Sequence, residues 1–154
     1  SPDFSSLLQA ICSAEDRLMG ALAELQSSAR NERIQAHFQE LGMPGNLKGR
    51  AYLSFLLDLV VPSPNLLDAL TKRLYPAAAA KFSTTPSAVE RCIRHAIEAT
   101  WSRGDMAALE RLFGLSIDPD RGKPTNREFL AMSAHHLRQR ALLSGPPSKE
   151  QCIF

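Results

Sequence analysis

Leu74–Gly104 reads LYPAAAAKFSTTPSAVERCIRHAIEATWSRG, which parses as a helix, a tight turn and a second, amphipathic helix. Phe82 closes the first helix and Ser83 sits at the bend. Thr85 is placed to cap the next helix, and Pro86 suits its first position, where no backbone N–H is needed. Counting from Ala79, a small residue that lets two helices approach, the bend residue Ser83 lies four on and the apolar Val89 ten on. Phe82 and Cys92 occupy the other inward positions. This is helix-turn-helix spacing, with the second helix expected over 86–103.

At about 100° per residue, Val89, Ile93, Ala96, Ile97 and Thr100 share one stripe. Ser87, Arg91, Arg94, His95, Glu98 and Ser102 lie on or beside the opposite face, so burial of the first set exposes the second. Arg donates two parallel hydrogen bonds to guanine O6 and N7, and Glu accepts from cytosine N4. Arg91 and Glu90, near the helix N-terminus, therefore have base-reading chemistry. The plainer alternative is a solvated face laced by Glu90–Arg94 and Arg94–Glu98 ion pairs at i,i+4. The pattern alone leaves both open, because helix-turn-helix geometry also serves proteins that never touch DNA.

Charge is informative only locally. The net charge of +2 announces no partner. Its distribution is uneven, however. Residues 1–30 carry Asp3, Glu15, Asp16 and Glu24 against Arg17 and Arg30, whereas 71–103 carry Lys72, Arg73, Lys81, Arg91, Arg94 and Arg103 against Glu90 and Glu98. Screening limits a charge's reach to about 8–10 Å in physiological salt, so a local cluster attracts phosphate more effectively than a global balance.

The wider chain reads as helices joined by short turns. Residues 4–40 are expected to be helical, with an interruption near 27–31, and Phe4, Ile11, Leu18 and Leu25 recur every seven residues. That stripe needs cover, either from the chain's own bundle or, in a functional role, by pairing with its copy or by connecting to a receiver domain. Met43-Pro44-Gly45-Asn46 makes a turn, an apolar helix runs from Lys48 to Val61, and Leu66–Leu74 continues as helix. Tyr75-Pro76 opens the next. Gly104-Asp105 ends the helix of 86–103, Met106–Phe113 is short and helical, and Gly114 breaks it. Asp118–Lys123 reads as a polar loop. Thr125 with Glu128 fits a capping box opening a last helix to about Leu143. The Pro/Gly/Ser-rich residues 144–154 read as a flexible tail.

Several functions lack their residues. Cys12, Cys92 and Cys152 are odd in number and widely spaced, which suits free thiols in a reducing cytoplasm; Cys92 reads as packing. His135 and His136 are adjacent, hence about 100° apart, and do not converge on one ion. Asp118 and Asp120 begin a calcium-loop pattern that lacks its glutamate. No catalytic carboxylate pair or phosphate-cradling glycine loop is present, so no enzyme, metal or cofactor is expected. Leu53–Val61, the longest candidate membrane segment, is broken by Asp58. Trp101 reads as core. The opening Ser-Pro-Asp-Phe, with neither an initiator methionine nor a signal-peptide pattern, is expected to be the cut end of a longer chain.

The run KFSTTPSAVERCIRHAIEATWSRGD (81–105), then LERLFG (109–114) and KPTNREFLAMSAHHLR (123–138), resembles the DNA-binding effector domain of the stage zero sporulation response regulator family. ELGMPGNLKGRAYL (40–53) and LLDALTKRLYPAAAAKF (66–82) are similar to the family's opening helices. The likeness spans residues 31–141. It implies an all-α bundle of about six helices containing a helix-turn-helix, here with an extra N-terminal helix: residues 1–30 as helix or linker, 31–143 as effector domain, 144–154 as tail. It implies a bacterial cytoplasmic transcription regulator that places helix 86–103 in the major groove of TGTCGAA-like elements in double-stranded DNA, as tandem dimers. Carried over residue by residue, Glu90 and Arg91 approach bases, while Lys81, Ser87, Arg94 and His95 lie at bases or phosphates. Arg103 is added here as an anchor from its charge at the end of the same helix. Residues 104–115 resemble the surface that meets the RNA polymerase sigma subunit. Ala88 stands where the family commonly has a basic residue, and no phosphoacceptor receiver domain lies within the 154 residues. The rival reading is a helical protein–protein interaction module that keeps the fold and regulates by partner binding.

Overall fold

The computed structural model describes residues 3–114 and 122–143; the Asp118–Arg121 part of the polar loop and the 144–154 tail lie outside them. Six α-helices occur among these residues: α1 (Phe4–Leu41), α2 (Lys48–Val60), α3 (Tyr75–Lys81), α4 (Pro86–Arg103), α5 (Met106–Phe113) and α6 (Asn126–Leu143). The all-helical class and the helix-turn-helix are as the sequence suggests.

The core forms around α2. Its apolar residues recur at helical spacing, and Tyr52, Leu53, Leu56, Leu57 and Val60 are all buried. α1 (through Ile34, Phe38 and Leu41), α4 and α6 pack around it. Gly49 permits the closest crossing: a Cβ there would lie 2.1 Å from the Cys92 carbonyl oxygen and 2.8 Å from the Ala96 Cβ. At the other end of α4, Phe113 stacks on Phe129 (5.5 Å, 7° between planes), and Trp101 meets Phe113 edge-on at 5.3 Å. Trp101 is thus core, as expected. Glu40 ties the end of α1 to α5 and α6 through ion pairs with Arg111 and Arg140.

Two elements depart from the sequence expectation. α1 is unbroken through 27–31. That stretch is weakly helical alone, but Arg30 pairs with Asp58 of α2 at 2.8 Å and Gln35 donates to Ser54 at 2.9 Å, so α2 holds the turn in place. Leu66–Leu74 is not a plain helix. Pro64–Ala69 is a 3₁₀ turn and Leu70–Leu74 a π turn closed by Tyr75 N–H on the Leu70 carbonyl. Pro76 explains the widening: it lacks the N–H that Lys72 would receive, and its ring crowds that carbonyl.

The sequence left the cover of α1 open, and the structure removes one of the alternatives. Residues 3–26 are all exposed. Phe4 is 73% exposed, Leu18 62% and Leu25 67%, so the heptad stripe does not pack on the chain's own bundle. From the first buried residue, Ile34, back to Phe4, the helix projects about 45 Å at 1.5 Å per residue.

Candidate nucleic-acid interface

Local chemistry builds the turn between α3 and α4 as the sequence implies. Thr85 Oγ1 accepts from Ala88 N–H at 3.1 Å, and Pro86 occupies the first turn. Ser83 adopts the left-handed region (φ 54°), while Thr84 N–H bonds to the Ala79 carbonyl at 2.9 Å, which reverses the chain between the helices. Val89, Ile93, Ala96, Ile97 and Thr100 are buried, and Phe82 packs against Tyr52 (5.0 Å) and Phe55 (5.9 Å). Both helices of the motif are therefore pinned from behind.

With that face buried, Ser87, Arg91, Arg94 and His95 are left exposed on the outer side of α4. Glu90 stands beside this face and pairs with Arg94 at 3.6 Å; both side chains are about half exposed, so the pair is worth little and is easily exchanged. Lys81 is exposed at the end of α3. Arg103, also exposed, is about 18 Å along α4 from Arg91 and about 120° round it, so it is not part of the same cluster. Glu98 does not reach back to Arg94 for its hydrogen bond: Lys123 Nζ donates to it at 2.9 Å, and this bond holds its carboxyl below the ordinary range.

One basic residue at this face escaped the sequence reading. Lys48 opens α2, and the Gly49 crossing carries it to the side of α4. It lines a concavity of about 490 Å³ together with Asn46, Leu47, Arg91, Cys92 and His95. The first turn of α2 receives no side-chain cap, so its positive end faces this hollow beside three basic side chains. Only Gly49, the one small residue on an otherwise bulky inward face of α2, hinted at this approach.

On the other flank, the KPTN run (123–126) acts as a clamp. Pro124 is buried, Thr125 and Glu128 form the reciprocal capping box, and Asn126 Nδ2 donates both to the Glu90 carbonyl and to Tyr75 Oη at 3.1 Å. Asn126 so fixes α6 to α4 and to the start of α3. Burial pushes the Tyr75 hydroxyl pKa up.

Among the described residues no group of three His, Cys, Asp or Glu side chains converges. His136 Nε2 meets the Leu112 carbonyl at 2.9 Å, while His135 is exposed. No helix among these residues is long and apolar enough to cross a membrane.

The sequence matches the family model described as "Sporulation initiation factor Spo0A C terminal" over residues 34–137. The match starts where α1 becomes buried and ends at Leu137, the last buried residue of α6 among those described. It takes in the bundle and omits the projecting part of α1.

Proposed function

Because this chain belongs to the Spo0A C-terminal family, DNA-binding effector domains of sporulation regulators, we propose that α4 enters the major groove of TGTCGAA-like elements. The supporting observation is an exposed Ser87–Arg91–Arg94–His95 face on a helix whose opposite face is wholly buried. In this reading Arg91 reads a guanine bidentately and Glu90, released from Arg94, accepts from a cytosine. Arg94, His95 and Ser87 lie at bases or phosphates. Lys81 and the newly placed Lys48 hold the backbone on either side, and Arg103 serves as an outlying phosphate contact. Residues 31–143 form the effector unit, and the protein acts in the cytoplasm on promoter DNA.

A further contact follows for residues 104–115. Met106 is 62% exposed and Glu110 stands exposed one turn along α5. We propose this outer face as the contact for the RNA polymerase sigma subunit.

Fluorescence anisotropy with a duplex of two tandem elements, a scrambled duplex and a salt series tests the DNA reading. The expected result is at least tenfold preference for the element, with affinity falling steeply as salt rises. Arg91→Ala should lose about 1–3 kcal/mol of discrimination. Lys81→Ala should weaken every sequence alike and lower the salt slope by about one. Equal, weak binding to both duplexes would return the fold to the rival reading of a protein-interaction module.

A further inference from the structure

α4 is held to the bundle by two unlike devices. The buried stripe from Val89 to Thr100 presses it onto the core, and apolar burial is non-directional. On one flank Gly49 brings α2 against the Cys92 carbonyl and Ala96, about 120–160° round the helix from Glu90. The other flank opens on a hollow of about 440 Å³ between Glu90, Arg94 and Ile97 of α4 and Leu70, Tyr75 and Pro124. The run 123–126 spans that hollow. Lys123 Nζ meets Glu98 at 2.9 Å, and three residues later Asn126 Nδ2 meets the Glu90 carbonyl at 3.1 Å. Those two points on α4 are eight residues, or about 12 Å, apart, so the run lies along the helix as an antiparallel strap.

We propose that Asn126 is a positioning residue for base reading: it sets the tilt and rotation at which α4 presents Glu90 and Arg91, and so governs discrimination between sequences rather than attraction to DNA. This role presupposes α4 as the groove helix. The Glu90 carbonyl belongs to the peptide unit that joins Glu90 to Arg91, the two residues assigned to bases, so whatever holds that oxygen places both Cα atoms. A carbonyl only accepts, which fixes the orientation of the amide, and the same Nδ2 donates its second hydrogen to Tyr75 Oη at 3.1 Å. Tyr75 is buried at the start of α3, so one amide from α6 ties both helices of the motif to a single point. Asn126 is itself fixed, with Pro124 buried before it and the Thr125–Glu128 capping box closed around it.

The tolerances of the two kinds of DNA contact differ. A bidentate pair keeps both bonds only over about 0.5 Å, the width of the hydrogen-bond range. Lys81 and Lys48 attract phosphate through charges that reach about 8–10 Å. A small rotation of α4 therefore breaks base contacts and spares the general attraction. The Lys123–Glu98 end of the strap is about half exposed and worth little, which leaves the role to Asn126.

Anisotropy on the whole chain, with the element duplex and the scrambled duplex side by side, reads both quantities. Asn126→Ala should cut the ratio of the two affinities at least about fivefold, while the dissociation constant for the scrambled duplex stays within about twofold of wild type. Asn126→Asp guards against a loosened α6, because a carboxylate suits the first turn of a helix yet cannot donate to Glu90. Its added charge weakens both duplexes alike, and the ratio should fall as it does with alanine. Lys123→Ala should change the ratio by less than about twofold. The role is refuted if wild type prefers the element and either Asn126 variant keeps the wild-type ratio, or if Lys123→Ala lowers the ratio as far. A wild-type chain without preference would instead overturn the reading of α4 itself, and the positioning role with it.

Discussion

Two helices of this molecule carry the same kind of pattern and meet opposite fates. α4 and the first 22 residues of α1 each set an apolar stripe against a polar face. In α4 the stripe is buried to the last residue, whereas in α1 it stands in water. The period states that a face needs cover; it does not state whose atoms supply it. α4 is answered within the chain because α2 crosses it at Gly49 and the Trp101–Phe113–Phe129 cluster closes its far end. α1 stays exposed along residues 4–26, and its first tie to α2 is the Arg30–Asp58 pair.

The largest expected effect comes from making the same truncation in both stripes. Ile93→Ala, at a fully buried site, should cost about 2–5 kcal/mol in urea unfolding. Ile11→Ala, half exposed, should stay within about 0.5 kcal/mol. An equal loss at Ile11 would mean that the chain covers its own α1 stripe, and the contrast between the two helices would fail.

Acid offers a second way to separate the regions, because it strikes only the buried end of α1. His37 is buried between Phe38 and Phe113, with Nε2 3.0 Å from Ser133 Oγ, and its Nδ1 has no partner among the described residues. Burial, and then the positive charge of Arg140 and the neighbouring His136, lowers its pKa from 6.5 to about 4. The unfolded chain therefore binds a proton that the folded one refuses. Stability is unaffected above pH 6.5, falls as the pH drops from 6.5 to 4 by about 3 kcal/mol, and loses nothing more to this group below that. Glu40 acts in a lower window. Burial pushes its carboxyl up, but the bonds from Arg140 and Arg111 outweigh this and hold it below the usual range, so its contribution is lost only under stronger acid. In urea titrations from pH 7.5 to 4, His37→Gln should flatten the upper slope while the helicity of residues 4–25 stays unchanged. A slope identical to wild type would assign the acid sensitivity elsewhere.

What the sequence allowed to be read follows from how local each cause is. The limits of α4, its buried stripe, the Thr85 cap and the Thr125–Glu128 box all arise within one or two turns of chain, and all were legible. The exposed face of Ser87, Arg91, Arg94 and His95 follows from the same stripe. Causes that act across the fold were not legible. The continuity of α1 rests on Arg30 finding Asp58, and the arrival of Lys48 beside Arg91 and His95 rests on a glycine whose partner is 43 residues away. The π turn lies between: Pro76 is visible in the sequence, but a proline kinks, ends or widens a helix according to what packs on it.

The smallest expected effects exchange glycine between the two regions. Ser83 holds φ 54° at the end of α3, the position where glycine usually closes a helix. An L-residue there costs about 1–2 kcal/mol, and glycine's extra chain entropy returns about 0.5–1, so Ser83→Gly should stabilise the bundle by up to about 1 kcal/mol. Gly20 is the reverse case. It sits inside the exposed helix of α1, where an added Cβ would meet nothing within 4 Å, so alanine should favour that helix by about 1 kcal/mol. Differential scanning calorimetry and circular dichroism on the two variants separate the outcomes. Ser83→Gly should raise the melting point of the bundle with DNA affinity unchanged. Gly20→Ala should raise helicity at low concentration and leave that melting point alone. If Gly20→Ala moved the bundle's melting point as far as Ser83→Gly does, the projecting helix and the core would unfold as one unit, and the line drawn between them at Ile34 would be erased.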